Sequence, residues 1–217
     1  SQGNLENKYT ISTAPPSQRI IESGKSILTL NDNYVILGSI SQSSANGPSN
    51  IWLSEYDISL SDVGDTLWSK TWNLDTFDVP EKIIQTSDGS FTFAGYSLNN
   101  SGELEFSWII NTDDTGNELS SIILTGGCYI YDFFENIDGN YIVAGKKLIG
   151  DLFQGWILCL DFQGNQIWEN TYGDEESAVF QSVKQTTDGG YILTGEDQLN
   201  GTASILHVKT DPNGNIN

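Results

Sequence analysis

The stretch F-Q-S-V-K-Q-T-T-D-G-G-Y-I-L-T-G, from Phe180 to Gly195, reads as an apolar run, an Asp-Gly reversal and a second apolar run. Asp-Gly between two such runs marks a hairpin, because glycine adopts the positive φ that a tight reversal needs. Fifty residues earlier F-F-E-N-I-D-G-N-Y-I-V-A-G ends at Gly145, and fifty before that I-I-Q-T-S-D-G-S-F-T-F-A-G ends at Gly95. A weaker copy, I-L-T-L-N-D-N-Y-V-I-L-G, ends at Gly38 and puts Asn31-Asp32-Asn33 at the reversal, residues that tolerate left-handed backbone. Four copies at intervals of 57, 50 and 50 residues make this a repeat protein.

Each copy has a second half. The third reads G-W-I-L-C-L-D-F-Q-G-N-Q-I-W-E-N-T-Y from Gly155 to Tyr172, and the fourth S-I-L-H-V-K-T-D-P-N-G-N from Ser204 to Asn215. The second begins W-I-I-N-T-D-D-T-G-N-E-L at Trp108. The first has W-L-S-E-Y-D from Trp52 and, after an insertion, G-D-T-L-W-S-K-T-W from Gly64 to Trp72. The unit is therefore four short strands joined by a D-G turn, a variable loop and a D-x-x-G-N turn. Tyr141-Ile142-Val143-Ala144 is apolar at successive positions, so its sheet must be covered on both faces.

Sheets of four antiparallel strands covered on both sides predict an all-β β-propeller of four blades, a single domain over 1–217. The repeats span approximately 10–72, 73–124, 125–172, and 173–217 together with 1–9. Leu5-Glu6-Asn7-Lys8-Tyr9 matches Trp168-Glu169-Asn170-Thr171-Tyr172, which predicts that the N-terminal strand completes the last blade and removes a free sheet edge.

The pattern T-x-D-G-G-Y-I-x-x-G followed by W-x-x-x-x-D-x-x-G-N-x-x-W-x-x-x-Y resembles the propeller repeats of exported and cell-surface proteins of bacteria and archaea. The resemblance runs from Leu5 to Asn217. It implies a secreted or cell-surface location, the periplasm included, and supplies no shared catalytic residue. The sequence departs from the pattern at the N-D-N turn, between Asp57 and Asp65, and at Leu119 and Ser120, where the third copy has Ile167 and Trp168.

The chain carries 29 acids against 9 bases and 1 histidine, a net charge of −20. Such a charge repels phosphate backbones and anionic headgroups, and no basic stripe offsets it, which argues against nucleic acid and acidic membrane as partners. No apolar run reaches the roughly 18–20 residues of a membrane span. Ser1 to Thr10 is not a charged-then-apolar leader, so any export signal is expected to have been removed. A monomer is expected.

Most candidate chemistry has a plainer reading. Asp113, Asp114, Asn117 and Glu118 put four oxygen donors in six residues, short of the six to eight that calcium takes in a built loop. No metal site and no cofactor are expected, although the acidic charge is compatible with weak calcium binding. Sialidase-type and quinone-dependent dehydrogenase repeat motifs are absent, no phosphate-cradling glycine loop is present, and Arg19 is isolated. His207, in an alternating strand with no nucleophile argued beside it, reads as a packed or hydrogen-bonded residue. Cys128 and Cys159 fall on strands with a whole strand between them, about 9–10 Å apart and beyond the roughly 7 Å reach of a disulfide, which predicts two free, buried thiols. Asn99 and Asn200 stand in sequons that matter only where the source glycosylates them.

The variable segments after the repeat glycines, 39–50, 96–106, 146–155 and 196–203, are expected to be loops gathered on one face. Tyr96, Lys146 and Glu196 hold equivalent positions there, and Asp174 and Glu175, next to Glu176, lie in the connection between blades three and four. These five are the candidate ligand-binding residues. The main expectation is a noncatalytic extracellular or surface module that binds a protein or glycan through that face. The alternatives are a glycan hydrolase or lyase using carboxylates near the axis, with no catalytic residue assigned, and a spacer domain of a longer exported protein.

Overall fold

The computed structural model describes residues 20–42, 48–57, 66–173, 177–199 and 202–216. They form an all-β protein of propeller-like sheets, with no helix among the described residues and so none long and apolar enough to cross a membrane.

The first sheet holds β1 (Ile20–Thr29), β2 (Asn33–Gln42), β3 (Ser49–Asp57) and β4 (Thr66–Trp72). The second holds β5 (Phe77–Gln85), β6 (Phe91–Leu98), β7 (Leu104–Thr112) and β8 (Glu118–Leu124). The third holds β9 (Cys128–Glu135), β10 (Tyr141–Ile149), β11 (Leu152–Leu160) and β12 (Gln166–Tyr172). The fourth holds β13 (Ala178–Gln185), β14 (Tyr191–Leu199) and β15 (Thr202–Thr210). Each is an antiparallel meander, and one parallel bridge, Ser49 to Phe77, joins the first sheet to the second. After the turn at Asp211, an antiparallel bridge from Thr210 to Ile216 repeats the way β8 and β12 begin. Leu5 to Tyr9 lie outside the described residues, and the described strands form no closed ring of sheets.

The core lies between the sheets. β5 packs on β1, β2 and β3; β9 on β5, β6 and β7; β13 on β9, β10 and β11. Strand β10 shows the alternation plainly: Tyr141 and Val143 enter the core toward the second sheet, Ile142 and Ala144 the core toward the fourth. Both faces of this strand are buried, as its sequence requires. His207 departs from expectation and is exposed, because no described sheet covers its face of the fourth sheet. Cys128 and Cys159 are free and buried on β9 and β11, with β10 between them.

Turn chemistry follows the repeat. Thr86 closes a reversal in which Gly89 takes φ 90°, and Gly139 and Gly189 do the same at φ 78° and 85°. These are three-residue reversals with a left-handed glycine at the end. In each D-x-x-G-N turn the aspartate accepts the backbone N–H groups two and four residues on, as Asp161 does from Gln163 and Asn165 at 2.9 and 2.8 Å. Those bonds, with the Asn165 amide foremost, hold Asp161 below the usual carboxylate pKa.

The first strand of every sheet carries a one-residue bulge opposite the repeat glycine. The ladder skips Lys25 in β1, Glu81 in β5, Tyr131 in β9 and Gln181 in β13. The bulge drives a carbonyl oxygen onto the glycine of the second strand. A Cβ on Gly145 would sit 1.8 Å from the Tyr129 oxygen, on Gly95 2.1 Å from Val79, and on Gly195 1.9 Å from Val179. The glycine ending each D-G-x-Y-I-x-x-G copy is thus demanded by backbone contact.

This contact generates a stability prediction. Gly145→Ala should cost about 3 kcal/mol or more, since only backbone movement relieves the overlap. Gly89→Ala, with nothing within 4 Å of its Cβ direction, should cost only the left-handed penalty of about 1–2 kcal/mol. Urea denaturation of both variants checks this, and equal losses would contradict it.

Candidate functional site

A bulge turns the extra side chain out of the ladder's alternation and re-aims it. Here the re-aimed residues of successive sheets meet. Lys25 Nζ stands 3.9 Å from Glu81, and Glu81 in turn faces Tyr131 closely enough to raise the phenol's pKa. One residue further along, Lys82 is ion-paired and hydrogen-bonded to Asp132, whose other oxygen accepts from Ser182 Oγ and Val183 N at 2.9 Å each. Asp132, 5% exposed, therefore ties three sheets together.

Beside this seam lies an aromatic cluster. Tyr96 of β6 meets Tyr129 and Tyr131 of β9 edge to face, with centroids 5.0 and 6.1 Å away, and Tyr129 meets Phe153 of β11 at 5.7 Å. Lys146 of β10 sets its ammonium 4.4 Å from the centroids of both Tyr129 and Phe153 and 5.9 Å from Tyr131. Burial lowers the Lys146 pKa, while the ring faces act in the opposite sense by attracting the cation. Lys146 and Phe153 then form one wall of a pocket of about 270 Å³, with Ala178, Val179, Glu196 and Gln198 opposite.

Burial governs the titration of this region. It pushes Tyr96 up to about 12, with Glu81 adding to the shift, and raises Tyr131 and Tyr129. It also raises the Glu81 carboxyl, against the opposing pulls of Lys25 and of the Tyr96 hydroxyl. Neutral phenols and a poorly solvated carboxyl suit hydrogen bonding to hydroxyl-rich ligands and, at Glu81, proton donation.

Three of the five residues singled out in the sequence are thereby placed. Tyr96 belongs to the aromatic cluster, Lys146 is its cation, and Glu196 faces Lys146 across the pocket. Asp174 and Glu175, with Glu176, lie outside the described residues, although Ser177, next in sequence, lines the pocket. The segments expected as loops are mostly strand: β6 runs to Leu98, β10 to Ile149 and β14 to Leu199. The bulge explains the difference, because it absorbs the irregularity at the glycine and lets pairing resume, as from Lys146 with Tyr129 to Ile149 with Leu152. Sequence reading missed Lys25, Glu81, Tyr129, Tyr131 and Phe153. The signal was present, since the period of 50 carries Glu81 onto Tyr131 and Gln181, an unlike set at one repeat position.

This architecture defines the class as an all-β protein of propeller-like sheets. No protein-family model matches the chain, and no curated protein matches it significantly. Among solved structures it is similar to a mannose phosphorylase from Leishmania mexicana at 9% identity and TM-score 0.46, covering 85% of this chain and 66% of that one. It is similar to an endo-arabinanase from Bacillus licheniformis at 13% identity and TM-score 0.43, covering 87% and 74%. A Bacteroides caccae protein of unknown function matches at 13% identity and TM-score 0.36, covering 93% and 81%. At these scores the likeness says nothing about site or substrate.

The raised Glu81 carboxyl gives a pH dependence with a definite sign. Folding disfavours its ionised form, so it destabilises the protein above its folded pKa, and that cost vanishes as pH falls through it. Glu81→Gln should therefore melt above the parent at about pH 7, with the gap closing by about pH 4. Melting curves across that range check this; a gap that stays constant would contradict it.

Proposed function

We propose that the chain is a noncatalytic binding module that recognises a glycan on the face carrying Tyr96, Tyr129, Tyr131, Phe153, Lys146 and Glu196. The observation that carries this reading is the set of four aromatic rings grouped with one ammonium at the wall of a pocket. Sugar rings offer apolar C–H faces that pack on aromatic rings, together with hydroxyls that need fixed donors and acceptors. The phenols, Glu196 and Lys146 are such groups. The face carries both signs of charge, which suits a neutral or weakly charged saccharide. A protein partner is the other occupant this reading admits.

The proposal keeps a monomeric, closed ring of four blades, with Leu5 to Tyr9 supplying the fourth strand of the last. Its support is the sequence match to Trp168 to Tyr172 and the single bridge from Thr210 to Ile216, at the same offset as the first pairs of β8 and β12. A secreted or cell-surface setting rests on the repeat resemblance, and Asp174 and Glu175 are proposed as the acidic rim beside Ser177.

One observation favours a second reading, hydrolysis or elimination at the same site. Glu81 is a carboxyl raised by burial beside two tyrosines, a suitable general acid. An oligosaccharide array, with and without calcium, followed by calorimetry on the best binder, tests the main reading. Tyr129→Ala and Glu196→Ala should each weaken binding about tenfold or more without product formation. Reducing ends released by the parent and lost in Glu81→Gln would establish the enzyme instead, and binding that survives both alanine changes would refute the site.

A further inference from the structure

Lys146 and Glu196 stand fifty residues apart at one repeat position, on β10 and β14. Their neighbours correspond in place and differ in kind. Lys146 pairs with Tyr129 and sets its ammonium 4.4 Å from the centroids of that ring and of Phe153. The residues fifty further on are Val179, which pairs with Glu196, and Ala203. Glu196 therefore lacks both rings, and its exposed carboxylate has no hydrogen-bond or ion-pair partner among the described residues. A pocket of about 270 Å³ lies here, with Lys146 and Phe153 on one side and Val179, Glu196 and Gln198 on the other.

The two charges are kept apart. Lys25, Lys82, Lys147 and Lys209 are all ion-paired with carboxylates, and Lys147, next in sequence to Lys146, takes Glu169 at 2.6 Å. Lys146 differs from them. In a chain of 29 acids its ammonium meets only ring faces, and its N–H groups make no hydrogen bond among the described residues. Ring faces attract a cation while leaving its donors unused. The pocket thus has a cation with free donors on one wall and an acid with free acceptors on the other. Strand β13 holds them apart, since it packs on β10 and pairs with β14. Neighbouring sheets lie about 10 Å apart, and two charge-assisted hydrogen bonds of about 2.8 Å leave about 4–5 Å between the charges of a bridging ligand. That is the span between opposite substituents of a sugar ring, and more than the single carbon that joins both charges of an α-amino acid.

The geometry points to a zwitterionic sugar in this pocket, a pyranose with a carboxylate on one side of its ring and an ammonium on the other. The carboxylate accepts from Lys146 Nζ, the ammonium donates to Glu196, the ring's C–H face packs on Phe153, and the Gln198 amide serves the hydroxyls. Such a unit is neutral overall, so the chain's net charge of −20 does not repel it. The inference rests on the glycan reading and names its sugar.

Ligand-observed NMR with the whole chain and the methyl glycosides of glucosaminuronic acid, glucuronic acid and glucosamine tests it, since these carry both charges, the negative one alone and the positive one alone. The zwitterion should bind with a Kd on the order of 1 mM or tighter. The glucosaminide, which gives Lys146 no partner, should bind about tenfold more weakly, and the glucuronide, which leaves only the exposed Glu196 unpaired, about threefold more weakly. Lys146→Met should bind the zwitterion and the glucosaminide alike. Glu196→Gln, at an exposed side chain, should keep the fold and bind the zwitterion and the glucuronide alike, so the test stays decisive if Lys146→Met does not fold. No binding of the zwitterion at about 10 mM, no preference for it over the other two, or a preference unchanged by Glu196→Gln would overturn the inference. Oligosaccharide-array binding to sugars without either charge, alongside such a result, would leave the glycan reading standing, whereas an array with no binder at all would remove that reading instead.

Discussion

The carbonyl oxygen of Tyr129 lies 1.8 Å from where a Cβ on Gly145 would be, and the same approach recurs at Gly38, Gly95 and Gly195. Everything distinctive about this chain rests on that close approach. The bulge that causes it shifts the ladder by one residue, so a first strand that would alternate between two cores also sends one side chain out of the alternation. In four successive sheets that position holds Lys25, Glu81, Tyr131 and Gln181. The device is repeated while its side chain is not, which lets a constant scaffold carry an uneven surface.

Charge is arranged around the same feature. In a chain of net charge −20, three of nine bases, Lys25, Lys82 and Lys146, stand at or beside the bulged region, against a carboxylate, a buried carboxylate and a set of rings respectively. At Lys146 desolvation and attraction by the rings oppose one another. At Glu81 burial wins and the carboxyl is raised, a local cost borne where a binding or reacting group would need it. Asp132 answers the same problem differently, meeting its burial with a lysine, a hydroxyl and a backbone N–H drawn from two neighbouring sheets.

The repeat made much of this legible. Strand order, both kinds of turn, the burial of Tyr141 to Ala144 on two faces and the separation of Cys128 from Cys159 all follow from periodicity and turn chemistry. The bulge was not legible, because a skipped residue leaves no mark in composition; it shows only as a glycine whose reason is a neighbour's carbonyl. Without it, the residues after each glycine read as loop, whereas Tyr96, Lys146 and Glu196 lie on strands β6, β10 and β14. Their partners Tyr129 and Tyr131 were hidden for the same reason, since a strand's core alternation gave no cause to look for outward tyrosines. The replacement of Trp168's equivalent by Ser120 was visible as an irregularity, and Ile122, two residues on, takes over the contact with the turn glycine Gly164 that the tryptophans make at Gly116 and Gly214.

The skipped residue can be observed directly in solution by through-space proton contacts at the repeat glycines. With the bulge in place, the α-protons of Gly145 and Gly195 should contact those of Ile130 and Phe180, and a Gly95 α-proton should contact that of Pro80. An unbroken ladder would set the same glycines opposite Tyr131, Gln181 and Glu81, and cross-peaks to those residues instead would contradict the account.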